Sequence, residues 1–313
     1  MRVTWIALAV GLAVTAPVRA QQKPVRLDPA IVSGAVQFDL PSQATGRTYR
    51  IYALKPATPP PASGYPVVFL TDGDLTFGPA VTRAALEGLA MDLRPSLIVA
   101  IGYASSERSA WMKLRTSDLT PTAPPKGEND PVDVAGSGNA ERFYRFIMEE
   151  LRPALAAVAP TDPADQTLYG HSLGGLFAVH VLFTHPDAFR TFVASSPSIW
   201  WDHRSVLKEE AAFAAAVNAG KCSPRVLILS AAHEQSIPQG PLPEGMTMEQ
   251  LKKLVPEARM IDNARELAER LRALKGKPPY EVSFHLFEGE SHSTVIPGSI
   301  SRALDFAVGI RQY

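Results

Sequence analysis

Gln166-Thr167-Leu168-Tyr169-Gly170-His171-Ser172-Leu173-Gly174-Gly175-Leu176-Phe177 joins a short apolar run to a longer one through Gly-x-Ser-x-Gly. This order predicts a strand at 166–169, a sharp turn with Ser172 at its tip, and a helix at about 173–185. The flanking glycines have a mechanical reason, because side chains there would collide with the adjoining strand and helix.

On either side of this segment, 67–70 and 97–101 are continuous apolar runs, the pattern of strands buried on both faces of a parallel sheet. Strands are also expected at 36–40 and 48–54, joined by a turn at Gly46, and at 191–194, 225–229 and 281–287. Helices are expected at 79–93, 139–158, 205–218 and 298–310, with a polar loop at 104–138 and loop plus helix filling the space up to Gly276. Strand and helix alternating this regularly give an α/β fold, a mostly parallel central sheet with helices on both faces, built by right-handed crossovers. Ligands of such sheets sit beyond the carboxyl ends of the strands. The loops after Leu70, Ile101, Tyr169, Ala194, Leu229 and Phe287 are therefore the ones that carry chemistry.

The 313 residues are 46% hydrophobic and 20% charged, enough to bury a core and too apolar for a disordered chain. Bases and acids number 31 each, so no charge excess points to nucleic acid. Arg2, an apolar run and Pro17-Val18-Arg19-Ala20 read as a signal peptide over 1–20, with one domain over 21–313. Its removal takes the 31 bases to 29 against 31 acids and leaves no stretch able to stay in a bilayer, so a periplasmic or secreted location is expected. Cys222 is single and forms no internal disulfide. Histidines lack metal-ligand spacing and no glycine loop fits a phosphate or dinucleotide, so neither metal nor cofactor is expected.

A serine hydroxyl is a weak nucleophile and needs a base, itself oriented by an acid, in the chain order Ser, acid, His. Of seven histidines, His292 alone follows the last strand, in Glu288-Gly289-Glu290-Ser291-His292-Ser293. The acid should follow the 225–229 strand, where Glu234 stands, and Asp202, one loop earlier, is the alternative. Oxyanion donors are expected at the N–H of Leu173, just after the serine, and at Asp74 in Thr71-Asp72-Gly73-Asp74. The segment 237–255 reads as a mobile cover or a surface insertion.

Several segments together resemble the "Putative esterase" family of α/β-hydrolases, and its siderophore esterase branch most. They are Phe69 to Asp74, Arg115-Thr116-Ser117-Asp118-Leu119-Thr120-Pro121, Tyr169 to Ala178, Ala194-Ser195-Ser196-Pro197-Ser198-Ile199-Trp200-Trp201, and Gly289 to Ser293. The resemblance implies the α/β-hydrolase fold and ester hydrolysis by Ser172 and His292, with Glu234 where the branch carries its acid. Ala231-Ala232-His233 departs from the more glycine-rich turn expected there. The small-molecule substrate so implied is the ester scaffold of a catecholate siderophore, ferric forms included, whose charge and rings call for arginine and aromatics. Arg108, Trp111, Arg115, Trp200 and Trp201 lie on the loops that would meet it. The alternatives are a general exported carboxylesterase for short acyl or sugar esters, an acyltransferase using the same residues, and a catalytically silent binding protein.

Overall fold

In the computed structural model, residues 32–86, 92–105, 107–125, 134–237, 242 and 247–310 are described, apart from the side chain of Arg108. The expected signal peptide lies outside them. The unit treated below is Gly34–Tyr313.

The apolar runs form β3 (Tyr65–Leu70) and β4 (Leu97–Tyr103), with every residue buried. They pair in parallel, Val67 opposite Leu97 and Leu70 opposite Ala100. Around them the sheet runs β1-β2-β4-β3-β5-β6-β7-β8. The further strands are β1 (Ala35–Pro41), β2 (Thr48–Leu54), β5 (Thr161–His171), β6 (Thr191–Ser195), β7 (Arg225–Ala231) and β8 (Glu281–Phe287). Among the described strands of this sheet, only the β1–β2 and β2–β4 pairings are antiparallel. Side chains alternate across each strand and so feed two cores. Phe69, Leu168 and Phe192 face one, while Leu70, Tyr169 and Val193 face the other.

Three helices differ from expectation. Helix α1 (Gly73–Ala85) starts at the Asp-Gly pair, six residues before Pro79, and residues 87–91 of the expected span lie outside the described residues. The polar stretch expected to be a loop contains α2 (Arg108–Leu119). Hydrophobic periodicity misses α2 because its buried face is polar: Arg115, Thr116, Ser117 and Asp118 are all buried. The 139–158 helix is not uniform. An α-turn at Ala140–Arg145, here α3, widens into a π-turn at Phe146–Leu151 just ahead of Pro153, whose ring would clash with the carbonyl of Glu149.

Helix α4 (Leu173–Thr184) is buried from Leu173 to Phe183, which explains its lack of a polar face. Then come α5 (Glu210–Asn218), α6 (Met248–Ala258), α7 (Met260–Arg272) and α8 (Val295–Val308). Part of 237–255 is thus α6, opened by a capping box between Thr247 and Gln250, while 238–241 and 243–246 lie outside the described residues. No described helix is long and apolar enough to cross a membrane.

Candidate active site

Ser172 holds φ 60° and ψ −118° between β5 and α4, a conformation costing on the order of 1–3 kcal/mol. Hydrogen bonds to the next loop hold it there. Its N–H donates to Ser195 O at 2.9 Å, and its carbonyl accepts from Ser198 N–H at 3.0 Å. A Cβ on Gly170 would overlap Gly174 O, and one on Gly174 would overlap Thr71 Oγ1, so close packing of strand, turn and helix demands both glycines.

The loop after β8 brings His292 to the same end of the sheet. Its Nδ1 lies 2.7 Å from Glu234 Oε1, and Glu234 is buried while the imidazole is 42% exposed. The second carboxylate oxygen accepts from Ser230 Oγ at 2.8 Å and Ala231 N–H at 3.0 Å. Burial alone would raise the Glu234 pKa, but the His292 bond and charge, with the Ala231 N–H, bring it below the ordinary carboxylate value. Of the two carboxylates considered, Glu234 is the one paired with His292, without the glycine-rich turn expected before it. Asp202 makes no bond to His292; it sits in a separate short turn after β6.

His171 packs its ring 4.7 Å from that of His292, centroid to centroid, and shares a hydrogen bond with Ser195 Oγ at 3.1 Å. Burial first, then the charges of His292 and Arg115, push its pKa well down. Ser172 Oγ lies 3.4 Å from Ser198 Oγ, and no hydrogen bond joins it to His292 in this state.

The first N–H groups of a helix have no intrahelical acceptor, and those of Leu173 in α4 and Asp74 in α1 belong to this class. The Asp74 carboxylate is anchored away from its own N–H, accepting from Tyr52 Oη at 2.7 Å and Tyr103 N–H at 3.4 Å. Among the described residues, no cluster of His, Cys, Asp and Glu could hold a metal ion.

Chains of similar sequence carry esterase names. The family described as Putative esterase matches residues 42–277. This chain belongs to that family. It is 39% identical to the ferri-bacillibactin esterase BesA of Bacillus subtilis over 273 residues, 85% of this chain and 87% of that one. It is 34% identical to the siderophore triacetylfusarinine C esterase of Aspergillus fumigatus over 244 residues, 76% and 80% of the two chains. The crystal structure of the BES protein from Bacillus cereus superposes with a TM-score of 0.74 at 31% identity, covering 92% of this chain and 99% of that one. The fold is that of the α/β-hydrolases, and the protein is an esterase-family hydrolase.

Two residues of this esterase expected to touch substrate are buried. Arg115 is buried and spent on the protein, with Nε 2.7 Å from Asp72 Oδ1 and Nη2 donating to Asp72 Oδ2 at 3.1 Å and His171 O at 3.2 Å. It ties the loop bearing Asp74 to the turn bearing Ser172, a positioning role that polar residues on an apparent loop did not announce. Trp201 is 1% exposed in the core, its indole N–H donating to Thr122 O at 3.2 Å. Trp111 and Trp200 are half-buried, and the Arg108 side chain lies outside the described residues. Ser198, beside Ser172 Oγ, was not anticipated; the family-like Ser-Pro-Ser run was its available signal.

Replacing Arg115 by methionine leaves the Asp72 carboxylate buried and unpaired. We expect a loss of about 3–5 kcal/mol, read as a melting temperature lower by on the order of 10 °C. An unshifted melting curve would remove Arg115 from this role.

Proposed function

We propose that this protein is an exported serine carboxylesterase that opens the ester scaffold of catecholate siderophores through an acyl-enzyme. Ser172 Oγ attacks the ester carbonyl while His292 Nε2 takes its proton. Glu234 holds the Nδ1–H and stabilises the imidazolium. The N–H groups of Leu173 and Asp74 receive the oxyanion charge. His292 then protonates the leaving alcohol, and water activated by the same imidazole releases the acid and frees Ser172. The observation that carries this reading is the 2.7 Å pair of His292 with buried Glu234, standing at the same end of the sheet as the strained Ser172 turn. It requires Ser172 Oγ to turn from Ser198 toward His292; catalytic hydrogen bonds often tighten only with substrate bound.

The substrate class is supported by the names of the relatives, and export to the periplasm or medium by the apolar leader at 1–20. A general carboxylesterase is the second reading, favoured by the burial of Arg115 and Trp201, which removes two expected contacts with an anionic aromatic ligand. The test is to incubate the purified protein with ferric and iron-free catecholate siderophores beside p-nitrophenyl esters and compare kcat/KM. We expect a siderophore to lead by tenfold or more, about 1.4 kcal/mol of transition-state binding. The reverse ranking selects the second reading.

A further inference from the structure

Strand β8 stands three places from β5 in the sheet, about 14 Å at the usual strand spacing. The loop carrying His292 must therefore reach across the ends of β7 and β6 to come near Ser172. Glu234, which follows β7, grips that imidazole at Nδ1. A bond at one ring nitrogen fixes a point and leaves the ring free to swing about it. The His292 side chain is partly exposed, so solvent on that side does not hold it either.

A second grip comes from the residue just before the nucleophile. His171 is buried, and its ring centroid lies 4.7 Å from that of His292 with 42° between the planes. Its Nδ1 shares a hydrogen bond with Ser195 Oγ at 3.1 Å, which leaves Nε2 to meet the main chain of His292. The backbone beneath the ring is fixed as well. The His171 carbonyl accepts from Arg115 Nη2 at 3.2 Å, and the next N–H, that of Ser172, donates to Ser195 O at 2.9 Å. One rigid stretch thus carries the nucleophile and touches both the ring and the main chain of the base.

We infer that His171 is a positioning residue: built into the nucleophile's own turn, its imidazole sets the distance and tilt of His292 relative to Ser172 Oγ. This role rests on the Ser172–His292 chemistry proposed above and is independent of which ester is the substrate.

A misplacement of about 1 Å between reacting groups costs on the order of a hundredfold in rate. His171→Leu gives up both ring bonds, and its kcat on p-nitrophenyl acetate is expected to fall about a hundredfold with KM unchanged. Two amide variants separate positioning from simple packing. Glutamine puts its terminal amide where Nε2 stands and reaches the His292 main chain, whereas asparagine reproduces Nδ1 and serves only Ser195. His171→Gln should therefore recover most of the lost kcat, and His171→Asn little of it. Equal kcat in the two amide variants, or an unaltered kcat in His171→Leu, overturns the inference. Should the leucine variant fail to fold, the glutamine and asparagine comparison decides alone. Failure of the underlying mechanism reads differently: turnover by Ser172→Ala protein removes the Ser172–His292 chemistry whatever the His171 variants do.

Discussion

Ser172→Ala is expected to lower kcat on p-nitrophenyl and siderophore esters by about a millionfold, because the nucleophile, base and oxyanion donors act as a unit. The loss should fall on turnover and spare binding, since the hydroxyl contributes one 3.4 Å contact with Ser198 in the unliganded protein. The fold should survive. The turn is held by backbone bonds from Ser172 N–H to Ser195 O and from Ser198 N–H to Ser172 O, which alanine retains. Burst kinetics with a p-nitrophenyl ester give the check: unaltered protein releases a stoichiometric burst where deacylation is slow, and the variant releases none. Full turnover by the variant would mean that Ser172 is not the nucleophile, whereas absence of turnover in both proteins would select the silent binding protein.

The second large effect concerns Glu234→Gln, for which a fall in kcat on the order of ten-thousandfold is expected. An amide cannot stabilise the imidazolium as a carboxylate does, and its NH2 group can turn to His292 Nδ1 and favour the wrong tautomer. The 2.7 Å contact and the burial of Glu234 make the site sensitive to this exchange. The same variant has a stability signature. The folded-state pKa of Glu234 lies below its ordinary value, so the carboxylate adds stability above the unfolded-chain pKa of about 4.3 and loses it as pH falls through the lower folded value. Melting curves should therefore separate the two proteins at neutral pH and converge below about pH 4. A constant gap across that range would mean that the carboxylate is not held ionised by His292.

The strands were legible in the sequence wherever burial on both faces left uninterrupted apolar runs, as at Val67-Val68-Phe69-Leu70. Glycine spacing around Ser172 was legible for a similar reason: close approach of β5 and α4 excludes any side chain at Gly170 and Gly174. Helix α2 was not, because its inner face is built of charged and hydroxyl groups that find their partners on other elements. Asp118, for instance, accepts from Tyr49 Oη at 2.8 Å and pairs with Arg47. A periodicity of apolar residues does not register such a face. Arg115 on the same helix was expected to meet substrate, since an arginine in an apparent loop shows no internal partner until Asp72 and the His171 carbonyl are brought to it.

Chain order and local pattern by themselves determined the layered α/β architecture, the strained serine turn and the candidacy of His292, because each depends on neighbours in sequence or on a position relative to the last strand. The pairing of Glu234 rather than Asp202 with His292, the burial of Arg115 and Trp201, and the left-handed turn at Asp202–Arg204 were decided by tertiary structure alone. Those depend on distances between segments tens of residues apart, and on which side chains lose their water when the sheet is covered.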